Sequence, residues 1–312
     1  MKRIAALGLT ALMAGLAFGP AAAADQEQQI GDQVYQQLQQ KGEIIPRASA
    51  QSMYATLDPI AQRIKSVADS QYSYPFKFIL VHEKQPNAFA VPGGNVYVTD
   101  SLMKFVQNKE ELAGVLCHET SHDIHHDVVN NMAKDQRTGA IIGIVGAITG
   151  LSNSGFGQLG ENLAYSLQTS HFSREVEHNA DAKGAITCAQ AGSNPWGMVW
   201  LFQNFEKADT GGSMEALSDH PNDAHRIADL QAQFKADLQL FGRFSPDIAT
   251  ATPLNVPSTG YVAPRRANAA NNASPRHAIA RRPAPYCCTP RAKPAAAAST
   301  PSSDGVTVIQ GN

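Results

Sequence analysis

The sequence is short of long apolar runs, of any excess of one charge and of cysteine. None of its uninterrupted apolar stretches reaches the roughly 20 residues that a helix needs to span a bilayer. Lys and Arg number 25 against 27 Asp and Glu, so the charge balance gives no reason to expect nucleic acid as the main partner. Only four cysteines occur, Cys117, Cys188 and the adjacent Cys287-Cys288. They allow three full pairings, and the sequence does not choose among them. Cys117 stands beside His118, yet neighbouring helical positions diverge by about 100°, so it is read as a buried structural thiol and not as a metal ligand. No internal repeat is evident.

The two ends have their own character. Met1-Lys2-Arg3 precedes an apolar run from Ile4 to Phe18, then Pro20 and Ala21-Ala22-Ala23-Ala24 before Asp25. This reads as a secretory signal over residues 1–24, cleaved after Ala24. The alternative, an uncleaved membrane anchor, is disfavoured by an apolar core of only about 15 residues. No cysteine lies in this region, which argues against a lipid anchor. The expected destination is therefore outside the cytoplasm, periplasmic in a bacterium or secreted. From Phe244 the chain turns to Pro, Ala, Ser, Thr and Asn, with Arg265, Arg266, Arg276, Arg281, Arg282, Arg291 and Lys293 against Asp247 and Asp304. Residues 244–312 are expected to form a disordered basic tail. Peripheral contact of the tail with a membrane or cell wall is one reading, and a solvated linker is the plainer one. That leaves one folded domain over 25–243.

Within it, Ile30, Val34 and Leu38 recur at helical spacing, as do Met53, Leu57, Ile60, Ile64 and Val67, and both stretches read as amphipathic helices. Phe76 to Val81 and Val96 to Thr99 read as neighbouring strands, the second following the turn signal Pro92-Gly93-Gly94-Asn95. Thr99 or Asp100 caps a short helix over Ser101 to Val106. Asn108 opens a longer one with Glu110 and Glu111 in its first turn. Further helices are expected around Gly160 to Gln168, Ser173 to Gln190, Pro195 to Phe205 and Asn222 to Leu238. The glycine-rich run Gly139 to Ile148 reads as a packed helix of small residues. The fold class is α+β, mainly helical, with a small sheet.

His118-Glu119-Thr120-Ser121-His122 matches H-E-x-x-H. Residues i and i+4 project from one helical face, so His118 and His122 can share one zinc ion, while Glu119, about 100° round the helix, can reach a water there. A catalytic zinc needs a third protein ligand. His125 lies a further turn along, and no glycine after His122 breaks the helix, so the metzincin pattern is excluded. His125 and His126 are read as supporting or surface residues. A better candidate is Glu177 in Ser173-Arg174-Glu175-Val176-Glu177-His178-Asn179-Ala180-Asp181. Arg174, Glu177 and Asp181 share one helical face, and Asp181 can accept a hydrogen bond from the outer nitrogen of a liganding histidine.

These motifs, with Gly184, the stretch Asn87-Ala88-Phe89-Ala90-Val91-Pro92-Gly93-Gly94 and His220-Pro221 followed by Arg226-Ile227, resemble the HtpX, BepA and CAAX-prenyl-protease type of zinc metallopeptidases. The resemblance covers roughly Asn87 to Leu230 in the same order. It implies a gluzincin-like domain with a small sheet beside the motif helix, one Zn2+ per chain, Glu177 as third ligand and Asp181 as its supporting partner. It also implies that His220 and Arg226 lie near the metal, with His220 open between a catalytic donor, an inhibitory fourth ligand and a turn residue. Asn87, Ala88, Phe89, Pro92 and Gly93 would line the substrate cleft. The chain departs from the family at Asp123-Ile124-His125-His126-Asp127, where many relatives have an apolar pair and later Arg-His. It also lacks the transmembrane helices of the membrane-embedded relatives, which favours the soluble periplasmic branch. The function expected is a zinc metalloendopeptidase with Glu119 as general base, acting on misfolded or unassembled polypeptides in protein quality control. The rival expectation is a non-catalytic chaperone or assembly factor using the same cleft.

Overall fold

A computed structural model describes residues 20–137, 172–208 and 224–256. The expected helices Gly139 to Ile148 and Gly160 to Gln168, His220, and the tail from residue 257 lie outside these residues. The element order is α1 (Pro20–Gln40), α2 (Gln51–Ala68), β1 (Lys77–Val81), β2 (Ala88–Val91), β3 (Asn95–Thr99), α3 (Asp100–Phe105), α4 (Lys109–Ile124), α5 (Asp127–Arg137), α6 (Arg174–Gln190), α7 (Trp196–Ala208), α8 (Ala224–Ala236) and α9 (Leu238–Phe241). The result is mainly helical with one three-stranded sheet, the α+β class that the sequence implies. No helix among the described residues is long and apolar enough to cross a membrane.

The sheet runs β1-β3-β2, with β1 parallel and β2 antiparallel to β3. β1 and β3 are thus the neighbours expected from their β-rich composition. β2 and β3 form a hairpin whose turn uses positive φ at Gly93 and Gly94, a conformation that glycine adopts without steric cost. One face of the sheet packs on α2, α3 and α4 through Leu57, Ile64, Phe78, Val96, Leu102 and Leu112, among others. The other face packs on α1 and α5 through Ile30, Val34, Leu38, Tyr97, Val128 and Met132. A third cluster joins α6 to α9 through Ala185, Met198, Phe202, Leu230, Phe234 and Phe241.

Helix ends agree closely with the sequence. Thr99 Oγ1 accepts from Leu102 N at 3.0 Å and opens α3. Asn108 Oδ1 accepts from Glu111 N at 2.8 Å while Glu111 Oε1 accepts from Asn108 Nδ2 at 2.7 Å, a reciprocal cap that starts α4. Every residue of α4 from Glu111 to Asp123 is buried, so this helix is enclosed on all sides and its faces are not separated by polarity.

Two departures from the sequence reading stand out. Cys117 is buried, as expected, but it is not a thiol: it forms a disulfide with Cys188, joining α4 to α6. The boundary drawn at residue 243 also falls short. Lys109 N donates to Thr252 O at 2.9 Å, Leu254 N to Gln107 O at 3.2 Å and Trp200 Nε1 to Pro246 O at 3.2 Å, and Leu254 and Val256 pack against the first cluster. Composition missed this strap because backbone hydrogen bonds, which need no periodic apolar pattern, carry much of its attachment.

Candidate metal centre

Helices α4 and α6 bring His118, His122 and Glu177 together, all buried, and one donor atom from each lies within 4.8 Å of the others. The two Nε2 atoms are 3.1 Å apart, His118 Nε2 is 3.5 Å from Glu177 Oε2, and His122 Nε2 is 3.7 Å from Glu177 Oε1. Tetrahedral ligands at zinc distances of about 2.0–2.1 Å would stand roughly 3.4 Å from one another, so the spacing fits such an ion. The donor set, two imidazoles and one carboxylate, suits zinc chemically.

Each histidine has its outer nitrogen on a carboxylate. His118 Nδ1 is 2.9 Å from Asp181 Oδ1, and His122 Nδ1 is 2.9 Å from Asp127 Oδ2. An Nδ1–H donated outward leaves Nε2 with its lone pair towards the shared point, the form a metal ligand requires. Burial disfavours the charged form of His118, but the Asp181 and Glu177 carboxylates outweigh it and raise the group, holding a proton that a metal ion bound at the shared point would displace. The ring of Phe172 stacks on His122 with centroids 4.5 Å apart.

Arg226, on α8, is buried against this pair of carboxylates. Its Nε donates to Asp181 Oδ2 at 2.6 Å, Nη2 to Asp181 Oδ1 at 2.7 Å, and Nη1 stands 3.0 Å from Glu177 Oε2. Its guanidinium carbon lies 4.4 Å from the Phe202 ring centroid. Glu119 is buried on the β2 side of α4, where its Oε2 accepts from Ala90 N at 3.0 Å. A small cavity lined by Gly114, Val115, Met198, Leu201 and Phe202 adjoins His118 and Glu119.

The residues expected to line the cleft sit differently. Phe89 stacks on Tyr97 with centroids 5.0 Å apart in the core under α1, Ala88 belongs to the opposite core, and Asn87 N donates to Thr99 Oγ1 at 2.9 Å. Pro92 and Gly93 face α1, where a Cβ on Gly31 would lie 2.5 Å from Pro92 O. The strand meets the centre through a backbone N–H, at Ala90, because alternate β-strand side chains are taken up by the two cores. His125 is half-buried and donates from Nδ1 to Ser121 O at 2.7 Å, one turn away from the donor cluster. Asp127 and Ala90 were missed by sequence reasoning. An acidic residue within two turns of the second histidine was the available signal for Asp127; nothing in the sequence marks the N–H of Ala90.

The chain is similar in sequence to known proteins. The model of the family described as Peptidase family M48 matches residues 52–233. The beta-barrel assembly-enhancing protease of Yersinia pestis is 29% identical over 267 residues, covering 77% of this chain and 53% of that protein. The mitochondrial metalloendopeptidase OMA1 of Schizosaccharomyces pombe is 29% identical over 154 residues, covering 49% of this chain and 44% of its own length. Protease HtpX of Legionella pneumophila is 29% identical over 168 residues, covering 48% and 58%. The chain thus spans about half the length of these relatives.

Proposed function

This chain belongs to peptidase family M48, and from that premise we propose that it is a zinc-dependent endopeptidase with His118, His122 and Glu177 as ligands and Glu119 as general base. The observation that carries the reading is the close, tetrahedral-like spacing of the His118 and His122 Nε2 atoms and the Glu177 carboxylate, with Glu119 adjoining the same cavity as His118. When bound, zinc supplies Lewis acidity, acidifying a water and polarising the scissile carbonyl. Glu119 takes the proton of the attacking water and returns it to the leaving amine, and the N–H of Ala90 holds its carboxylate in place. Asp181 and Asp127 hold the two imidazoles with Nε2 inward, and Arg226 pairs with both the Asp181 and the Glu177 carboxylates. His220 remains a candidate for a further role near the metal.

Among the described residues β2 is the edge strand of the sheet on the side of α4, a position that favours an extended polypeptide aligning along it. The substrate class we propose is misfolded or unassembled protein, in keeping with the name of the Yersinia pestis relative. Export is supported by the signal-like pattern of Met1-Lys2-Arg3 followed by an apolar run, and by the Cys117–Cys188 disulfide, a bond that persists in oxidising compartments.

The test is metal analysis and casein digestion of the purified protein beside Glu119→Gln. Zinc at one per chain in both proteins is expected, with hydrolysis in the variant reduced by about 10²–10⁴. Undiminished casein digestion by Glu119→Gln would refute the assignment of the base.

A further inference from the structure

Glu27 lies on α1, ahead of the segment that the family model matches, yet its two carboxylate oxygens bond side chains beyond α1, those of His126 and Tyr72. The residue is buried, and a carboxylate removed from water needs donors to offset its lost hydration. Oε1 stands 2.5 Å from His126 Nδ1, and Oε2 accepts from Tyr72 Oη at 2.7 Å. His126 holds φ at 56° in the junction between α4 and α5, a conformation strained for a non-glycine residue. The next residue is Asp127, whose carboxylate meets His122 Nδ1. On the other arm, Tyr72 Oη accepts from Gly93 N at 3.0 Å, in the turn of the hairpin that carries Ala90 and hence the N–H held by Glu119.

α1 is seated closely enough to act as a fixed support. A Cβ on Gly31 would lie 2.5 Å from Pro92 O, and Ile30, Val34 and Leu38 anchor the helix in the core under the sheet. Covering the sheet requires only those apolar residues. The buried carboxylate is an addition that joins the helix to the two turns flanking the centre.

We propose that Glu27 is a positioning residue for the metal centre. Through His126 it fixes the turn that sets Asp127 against His122, and through Tyr72 it fixes the hairpin turn that sets Ala90 against Glu119. The proposal rests on the metallopeptidase reading above. In a chain that begins at Asp25, Glu27 is the third residue, so trimming a few residues from that end disconnects both arms.

The experiment uses the chain beginning at Asp25, loaded with zinc, and monitors zinc loss to a chromogenic chelator. Glu27→Ala should lose zinc about tenfold faster than wild type, as should Asp127→Ala, in the range typical of residues that orient metal ligands. The double variant should be no faster than Asp127→Ala alone, because the two act in series. Casein kinetics of Glu27→Ala should show a lower kcat with KM unchanged. Glu27→Gln, which retains an acceptor for Tyr72, should fall between. If Glu27→Ala does not fold, Tyr72→Phe and His126→Asn cut the arms one at a time, with faster zinc loss expected from the second. Wild-type zinc loss in Glu27→Ala, or in both single-arm variants, would overturn the proposal and leave Glu27 only as an anchor for α1. His118→Ala separates the two levels: stoichiometric zinc retained by that variant would overturn the metal-centre reading itself, and this proposal with it.

Discussion

Arg226 grips Asp181 through two parallel hydrogen bonds, of 2.6 and 2.7 Å, while the same carboxylate meets His118 Nδ1 at 2.9 Å. Burial alone would push Asp181 up, but Arg226 more than offsets this and holds it below the usual carboxylate range. A guanidinium on α8 thus keeps the support of a histidine on α4 ionised. Arg226→Lys keeps the charge but loses the planar fork. It should weaken zinc binding by about tenfold or more, measured by chelator competition. Arg226→Ala, which strands two buried carboxylates, should also lower stability by about 3–5 kcal/mol in urea unfolding.

Gly184 on α6 lies where a Cβ would stand 2.9 Å from Cys117 O and 3.1 Å from His118 Cα. Both neighbours are backbone and cannot swing aside. Gly184→Ala should force α4 and α6 apart, lowering stability by about 1–3 kcal/mol. Because these helices carry all three donor residues, zinc affinity should fall with it. Equal affinity in a destabilised variant would separate helix spacing from metal binding.

The Cys117–Cys188 disulfide closes a loop with a sequence separation of 71. By loop-closure entropy its removal should cost about 4 kcal/mol. Cys117→Ala/Cys188→Ala should therefore unfold at markedly lower urea concentration. Peptide mapping without reductant should recover the two cysteines in one linked fragment.

Truncation distinguishes the strap over residues 244–256 from the rest of the C-terminal region. A chain ending at Val256 should unfold like the full chain, whereas one ending at Arg243 loses the bonds of Thr252 and Leu254 to the start of α4, and the packing of Leu254 and Val256. Burying two such side chains is worth about 1.5–3 kcal/mol each when complete. Both residues are only partly buried, so a loss of about 2–4 kcal/mol is expected, read from urea midpoints.

Asp100 gives the pH dependence a sign. Burial raises it, but Lys104, the N–H of Glu83 and His82 outweigh that and hold it below its ordinary value. A depressed carboxylate contributes stability above its unfolded pKa of about 3.9 and loses it as pH falls through the folded value. Asp100→Asn should cost about 1–2 kcal/mol at neutral pH, since Lys104 is half exposed and its share is screened. The difference from wild type should shrink steadily below about pH 4. A constant difference would mean that the charge is not what matters at this position.

Neighbouring residues alone were enough to specify most of the described helices, though not α5, two of the three strands, the caps at Thr99 and Asn108, and the shared helical face of His118 and His122. Those are local matters: periodicity, capping chemistry and i to i+4 spacing are written over short stretches of chain. Packing settled which cysteines pair, where the folded chain ends and what supports the second histidine. It assigned Asp127 to His122 because a turn at His126 redirects the chain, and that turn is held from Glu27, 99 positions away. It also placed the N–H of Ala90, and not the side chain of Phe89, beside Glu119. Backbone groups carry no residue identity, and contacts between distant segments arise from packing, so neither could be read before the helices and the sheet were set against one another.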